Sequence, residues 1–354
     1  MSRRIASIVF AIASISLVTV LMACRPDNGR EEPSGAPAAG GDVASQPGTG
    51  NAGGPWHWER DEGSSLALVG PGGPLWQFHY APDLDHVYFH PLRTVDGRLL
   101  TWDRPPDHIW HHGLWFSWKY INKVNYWEVD AKTGHPAGRT TWSNVRVSPG
   151  ESFEARINVD LDYRPAGATS PVLVERRTVE VWPPDAEGVY TIDWTCAFRA
   201  IADALLDRTP LPGQPGGAVS GGYAGLSLRL GEGLSERQVM TSDGPVTTWT
   251  DDRYRGRHIG LDYSGLVDGE PAGIAVVDHP ANPRSPTPWY VINSRGFSWF
   301  TPALLCYEPL ALEAGDTMVL HYRVLVHPGR WDAERLKTEA ARFADRPVTE
   351  PRAF

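Results

Sequence analysis

The chain has 354 residues, a formal net charge of −9 and only 3 Cys, and 41% of its residues are hydrophobic. The acidic excess excludes a non-specific nucleic-acid binder, which needs a basic face, and the low cysteine count excludes a scaffold held by disulfides. The hydrophobic share is too high for a wholly disordered chain, so we expect a folded domain with a large core.

The first 23 residues have the pattern of a secretory signal peptide. Arginines at positions 3 and 4 precede an apolar run from Ile5 to Met22, and the run ends in Leu21-Met22-Ala23-Cys24. A short apolar run after positive charges is typical of such signals, and this ending resembles the lipobox of bacterial lipoproteins. We therefore predict that Cys24 is lipidated and that the protein is anchored in the cell envelope, facing the periplasm or at the outer membrane. A simple signal peptide and an uncleaved membrane anchor are the alternatives.

The next segment, residues 24–55, is predicted to be a disordered tether. Of the 31 residues from 25 to 55, 18 are Gly, Pro or Ala, and no apolar periodicity is present. Such a segment cannot bury enough surface to offset the entropy lost on ordering. We predict one folded domain over residues 56–345 and a short tail over 346–354. No apolar run after residue 24 approaches the ~20 residues of a membrane span, so the lipid is the only predicted membrane contact.

Alternating apolar and polar residues predict β-strands through most of this domain. The alternation is clearest in Phe153–Tyr163 and Tyr190–Phe198, while Met318–Val326 is apolar on both faces. Turn signals such as Asp96-Gly97 separate the segments. Many short strands without helices between them predict an all-β fold, a large antiparallel β-sandwich.

One helix is predicted, near the C-terminus. Asp332 can cap the segment Ala333–Ala344, in which Leu336, Ala340 and Phe343 are spaced as an apolar stripe. Two cysteines remain in the folded domain, Cys196 and Cys306. We expect both to be buried free thiols, with a disulfide between them as the alternative.

The first candidate site is a histidine cluster after two prolines. The segment Arg104-Pro-Pro-Asp-His-Ile-Trp-His-His-Gly-Leu-Trp-Phe places Asp107, His108, His111 and His112 within six residues. The prolines disfavour regular strand pairing, so we expect a loop that leads into a strand at Leu114. In a helical turn the three histidines would share a face, whereas in an extended chain His111 would face away from the other two.

Three roles fit this cluster. One histidine can act as a general acid or base that the carboxylate of Asp107 orients. Two or three of His108, His111 and His112 can bind a metal with a distant carboxylate. Alternatively, the imidazoles pack structurally against neighbouring tryptophans. The spacing does not decide between these roles, and the sequence identifies no cofactor.

Three later segments add further candidates. A proline-rich loop after residue 277 carries Asp278, His279 and Asn282, either for binding or as capping groups. The glycine-rich segment from Gly216 leads into a strand rather than a helix, which excludes a phosphate loop, but its Tyr223 and the following Arg229 are candidates for lining a pocket. Glu308 is a carboxylate in an otherwise apolar stretch, so it is paired, solvent-facing or functional.

Several motifs together resemble the bacterial PmoA-like family, known as "methane oxygenase PmoA" and otherwise a domain of unknown function. The resemblance covers roughly residues 75–328 and rests on Tyr88-Phe-His-Pro-Leu (which contains His90), Asp96-Gly97, the 104–116 segment, Gly221-Gly-Tyr-Ala-Gly-Leu and Asp278-His-Pro-Ala-Asn-Pro. Because this chain has no predicted span after residue 24, methane oxidation at a membrane is not expected.

The strand-rich layout is also similar to the galactose-mutarotase supersandwich, whose enzymes act on sugars with a His and a late carboxylate around a concave sheet. This similarity implies a protein that acts on or binds a carbohydrate or polyol through a His-rich pocket, and we expect an acid–base enzyme. A metal-dependent enzyme and a non-catalytic glycan-binding lipoprotein are the alternatives. The catalytic candidates are His108, His111, His112 and Glu308. The binding candidates are His90, Asp107, Tyr223, Arg229, Asp278, His279 and Asn282.

Overall fold

A computed structural model describes residues 56–347, 349 and 352–354. The predicted signal peptide (1–23), the lipidation site Cys24 and the tether up to residue 55 lie outside these residues. Lipidation and the envelope location therefore stay predictions.

The described residues form 22 strands and one helix. In chain order these are β1 (His57–Asp61), β2 (Ser65–Gly70), β3 (Gly73–His79), β4 (Tyr88–Leu92), β5 (Leu114–Ser117), β6 (Tyr120–Ile121), β7 (Val124–Asn125), β8 (Gly138–Pro149), β9 (Ala155–Pro165), β10 (Leu173–Trp182), β11 (Tyr190–Ala200), β12 (Ala204–Asp207), β13 (Gly225–Arg229), β14 (Ser235–Thr241), β15 (Gly244–Pro245), β16 (Arg253–Arg257), β17 (Gly260–Val267), β18 (Glu270–Asp278), β19 (Pro288–Ser294), β20 (Phe297–Pro302), β21 (Leu310–Leu312), β22 (Thr317–Pro328) and α1 (Ala333–Ala344).

The strands make three antiparallel sheets. The first sheet has the order β1-β2-β3-β4-β5-β13-β20-β19-β16, and the second has the order β15-β14-β17-β18-β22-β11-β10-β9-β8. A small third sheet has the order β21-β12-β6-β7. The predicted all-β antiparallel sandwich with a C-terminal helix is confirmed.

The two large sheets bury their apolar faces against each other. The ring of Phe89 in the first sheet lies 5.9 Å from that of Trp194 in the second. Tyr263 and Phe300 make a similar contact at 5.8 Å between ring centroids. The alternation in β9 explains this packing, since Ile157 and the other residues of its apolar face are buried in this core.

The helix covers the outer face of the second sheet. Asp332 caps it as predicted, with its carboxylate accepting a hydrogen bond from the amide of Arg335 at 2.8 Å. Leu336 and Phe343 pack in one cluster with Leu325 of β22, which explains why β22 is apolar on both faces. In the described part of the chain, no helix has the length and apolar character needed to cross a membrane.

The outer face of the first sheet carries a second aromatic layer, which is the setting of the candidate site. In β5 and β20, Phe116 and Phe300 face the sandwich core, while Trp115 and Trp299 face the other way. Loop residues cover this outer layer, among them Trp110. Cys306 lies in the same layer, and both it and Cys196 are buried free thiols, as predicted.

Candidate functional site

A cavity of about 190 Å³ opens on the outer face of the first sheet. It lies between strands β19 and β20 and the loops that carry the histidine cluster and the glycine-rich segment. Aromatic rings form most of its walls, and a few polar groups point into it. The lining residues are His108, Trp110, His111, Trp127, Glu128, Ser220, Tyr223, Tyr290, Ile292, Phe297 and Trp299.

The aromatic walls hold one another at ordinary packing distances. Trp127 meets Tyr223 edge to face, with ring centroids 5.0 Å apart. Tyr290 meets Trp299 in the same way at 5.3 Å. Such contacts favour defined ring orientations, so the cavity presents fixed ring surfaces to a ligand.

The histidine cluster divides between two places. Turns in the loop bring the rings of His108 and His111 together at the cavity, with centroids 4.7 Å apart. His112 points elsewhere, because its Nδ1 pairs with Asp103 at 2.7 Å and its ring stacks on Tyr88 at 4.1 Å. The loop thus follows neither the single helical turn nor the extended arrangement, and His112 does not line the cavity.

Asp107 lies beside His108 and is itself bound by Arg229. The guanidinium of Arg229 donates to both oxygens of Asp107, at 2.9 and 3.1 Å. Burial alone would raise the pKa of Asp107, but these hydrogen bonds outweigh it and lower the pKa. The ionised carboxylate lies 3.1 Å from Nδ1 of His108, although the two atoms are not aligned for a hydrogen bond. Asp107 therefore places a negative charge beside an imidazole that is 35% exposed.

Glu128 is the carboxylate of the cavity. It accepts hydrogen bonds from Tyr223, from the buried Lys119 and, at 2.7 Å, from Asn125. The side chain of Asn125 also accepts from the amide of Glu128 at 3.2 Å, which fixes the backbone there. Burial alone would raise the pKa of Glu128, but Lys119 and the hydrogen-bond donors outweigh it and lower the pKa. Glu128 is therefore ionised at neutral pH.

His111 is the second imidazole of the cavity and is neutral. Burial lowers its pKa well below the ordinary value. Its Nδ1 is buried without a hydrogen-bond partner, while its ring packs 5.1 Å from Trp115. His111 thus serves as a polar group in an aromatic wall, and His108 is the more exposed of the two imidazoles.

The described residues contain no group of three or more His, Cys, Asp or Glu side chains that is placed to hold a metal ion. The cluster on which the metal alternative was based is divided, since His112 is turned toward Asp103. Of the three predicted metal ligands only His108 and His111 remain together, and the acid–base and packing roles are both open to them.

The structure brings only some of the other predicted residues to this site. Tyr223 lines the cavity and Arg229 supports it from behind. His90 lies outside the cavity, where its Nδ1 is 3.0 Å from the hydroxyl of Thr101. Glu308 is also outside it, with a side chain 66% exposed and 3.5 Å from Arg284. We expected Glu308 to lie beside the histidines, but it does not line the cavity. The short segment that carries Glu308 runs along the surface.

The proline-rich loop is held together by its own polar groups. Asn282 donates to Asp278 at 2.8 Å and to the carbonyl of His321 at 2.7 Å, and the amide of Thr287 donates to Asp278 at 2.9 Å. His279 accepts from the amide of Ala281 at 3.1 Å. These contacts match the capping alternative, and none of these residues lines the cavity.

Sequence reasoning missed Glu128, Lys119 and most of the aromatic walls. One signal was available, since Lys119 stands between Trp118 and Tyr120 just after a strand-like segment. A lysine among aromatic residues is expected to be buried only with a carboxylate partner. The identity of that partner was not predictable from the local sequence.

Comparisons with known proteins give the family and one distant structural likeness. Residues 65–341 match the family described as "Family of unknown function (DUF6807)". No curated protein sequence matches the chain. Among solved structures, the chain is similar to the "galactosidase domain of alpha-galactosidase-sucrose kinase, AgaSK", with 9% identity and a TM-score of 0.41. That match covers 77% of this chain and 42% of the other, so this chain spans less than half of the solved chain's length. The PmoA-like name stays a prediction.

Proposed function

Because this chain belongs to the DUF6807 family of unknown function, we propose its function from the site itself: the aromatic cavity binds a carbohydrate or related polyol, and His108 exchanges a proton with it. The observation that carries the proposal is the composition of the walls. Six aromatic rings surround a few polar groups, His108, His111, Glu128 and Ser220 among them. Aromatic faces are electron-rich and attract the polarised C–H groups of a sugar ring, while the polar groups fix its hydroxyls.

Each polar group has a distinct task in this proposal. Glu128, ionised and held by three donors, accepts a hydrogen bond from a ligand hydroxyl. His111, neutral, orients a second hydroxyl. His108 is accessible and next to the negative charge of Asp107, so it is the group that gives or takes the proton. Arg229 keeps Asp107 in place and is a positioning residue.

Non-catalytic glycan binding is the second candidate, and one observation favours it. The oxygens of Glu128 already accept hydrogen bonds from Lys119, Asn125 and Tyr223. A carboxylate with these partners is a weak base. If His108 also takes no part in chemistry, the cavity binds a saccharide and releases it unchanged.

A saccharide screen with two variants tests the proposal. Ligands found by thermal shift are titrated calorimetrically against the wild type, Trp110→Ala and, as a matched control on the second sheet, Trp182→Ala. Loss of one stacking ring is worth about 1 kcal/mol, so Trp110→Ala should weaken binding by roughly fivefold to tenfold, and the control should not. Absence of any saccharide ligand, or equal affinity in Trp110→Ala, would overturn the proposal.

The catalytic part has its own test. The His108→Gln variant should keep its affinity for the saccharide within a few-fold of the wild type but lose turnover of the bound saccharide. Chromatography of the products measures that turnover. A wild type that binds saccharide and leaves it unchanged under all conditions supports the second candidate instead.

We also propose that the mature protein is an envelope lipoprotein, on the strength of the sequence ending at Cys24. Radiolabelled palmitate should be incorporated into the wild type and not into Cys24→Ser. Incorporation into neither would contradict this anchor.

A further inference from the structure

Three arginines form a row beside the cavity. They are Arg253, Arg255 and Arg257, at every second position of β16, the edge strand of the first sheet. Alternate residues of a strand share a face, and residues paired across antiparallel strands have neighbouring side chains. Arg253 pairs with Ile292 and Arg255 with Tyr290, and both of these partners line the cavity.

Direct contacts tie this arginine row to the cavity wall. The Nε of Arg253 donates to the hydroxyl of Tyr290 at 3.1 Å. The guanidinium of Arg255 stacks on the ring of Tyr290, 4.1 Å from its centroid. Arg255 also donates to the carbonyls of Val219 and Gly221, both at 2.7 Å, on either side of the cavity residue Ser220.

The three guanidinium groups of this row are not paired with carboxylates of the described residues. No carboxylate of the described residues lies within the 4.0 Å of an ion pair from any of the three guanidinium groups. Their hydrogen bonds go to carbonyl oxygens and to one hydroxyl. The Nη2 of Arg253, the Nη1 of Arg255 and the Nε and Nη2 of Arg257 donate to no described group, and none of them is among the buried unpartnered atoms. The row thus presents open donors in a protein whose net charge is −9.

We propose that this arginine row binds an anionic substituent, a carboxylate or a sulfate ester, on the saccharide whose neighbouring part occupies the cavity. This inference rests on the proposed function and narrows its substrate class to acidic saccharides. Arginine is suited to the task, since its planar, permanently charged donor groups match carboxylate and sulfate oxygens. In an acidic protein, a local positive row also attracts an anionic ligand that the rest of the surface would repel.

The test uses ligands that differ only in charge. The probes are trigalacturonic acid, its fully methylated ester, and a sulfated galactose trisaccharide with its unsulfated parent. They are titrated calorimetrically against the wild type, the double variant Arg253→Gln/Arg257→Gln and the control Arg199→Gln, an exposed arginine of the second sheet. Arg255 is left unchanged because it holds the loop at Ser220.

We expect the acidic member of at least one pair to bind at least tenfold more tightly than its neutral counterpart, and more weakly as salt is raised. The double variant should remove most of that difference, and Arg199→Gln should retain it. Preference for the trigalacturonate assigns a carboxylate, and preference for the sulfated trisaccharide assigns a sulfate ester.

Two results would overturn the inference in different ways. If acidic and neutral probes bind equally, or if the double variant keeps most of the preference, the arginines only protect the sheet edge from pairing with other chains, and the proposed function stands. If no saccharide binds the wild type in the wider screen either, the proposed function fails first.

Discussion

Lys119 shows how one buried charge organises the candidate site. Its side chain is 5% exposed and forms an ion pair with Glu128, which is itself 24% exposed. The ammonium also lies 5.2 Å from the ring centroid of Tyr223. A buried ammonium without its carboxylate is costly, so this pair fixes both Glu128 and Tyr223 in the cavity wall.

Removal of the carboxylate alone should therefore destabilise the fold. We predict that Glu128→Gln lowers the free energy of unfolding by about 3 kcal/mol, because it leaves the charge of Lys119 buried and unpaired. Urea denaturation measures this change. The double variant Lys119→Met/Glu128→Gln should recover part of the loss, since it removes both charges. A single variant as stable as the wild type would show that the pair is solvated.

The sequence identified some residues of the candidate site and not others. The proximity of His108 to Asp107 is local, so it was predictable from their neighbouring positions. Tyr223 was a candidate because it belongs to the glycine-rich segment that leads into a strand. The partnership of Glu128 and Tyr223 spans 95 positions and depends on the strand order β5-β13-β20, which no local pattern contains.

Among the elements, strands with one apolar face were predictable and strands covered on both faces were less so. Asp193 of β11 was expected on the polar face of its strand. The structure buries it in ion pairs with Arg323 at 2.7 Å and Arg346 at 3.0 Å. The reason is that the chain around the C-terminal helix lies over this face. This covering depends on the tertiary fold and not on the local sequence. The period-2 pattern therefore identified the strand β11 but not the burial of its second face.

The N-terminal cap of α1 should stabilise the fold. Asp332→Ala removes the hydrogen bond to the amide of Arg335 and should cost about 1 kcal/mol of stability. Asp345 at the other end makes a matched control, since a carboxylate near a helix C-terminus opposes the helix dipole and its removal should be neutral or slightly stabilising. Thermal unfolding of the two variants should therefore shift in different directions or by clearly different amounts. Equal destabilisation would contradict the capping role.

For the molecule as a whole, the large sandwich buries several histidines in the neutral form. Burial lowers the pKa of His90 and of His321 to about 4, and it lowers the pKa values of His86 and His111 well below the ordinary 6.5. Below pH 6.5 these histidines therefore bind protons in the unfolded chain but not in the folded chain. Asp278 acts in the opposite sense, because burial raises its pKa to about 6, but one carboxyl does not balance four imidazoles.

The folded state should consequently lose stability as the pH falls below 6.5. Each histidine that the unfolded chain protonates alone contributes about 1.4 kcal/mol per pH unit. We predict a net fall in the free energy of unfolding of at least about 1.4 kcal/mol per pH unit between pH 6.5 and 5. Guanidinium denaturation at pH 7, 6 and 5 measures it, and His86→Phe should show a shallower slope. Constant or rising stability over this range would contradict the burial of these imidazoles.

We propose above all that a saccharide binds in the aromatic cavity on the outer face of the first sheet. The most direct measurement is a crystal structure of the domain from Trp56 with a saccharide taken from the binding screen. We expect a sugar ring against the faces of Trp110, Trp127 or Trp299, with one of its oxygens within hydrogen-bond distance of His108. A saccharide bound on another face, with the cavity holding only solvent, would contradict it.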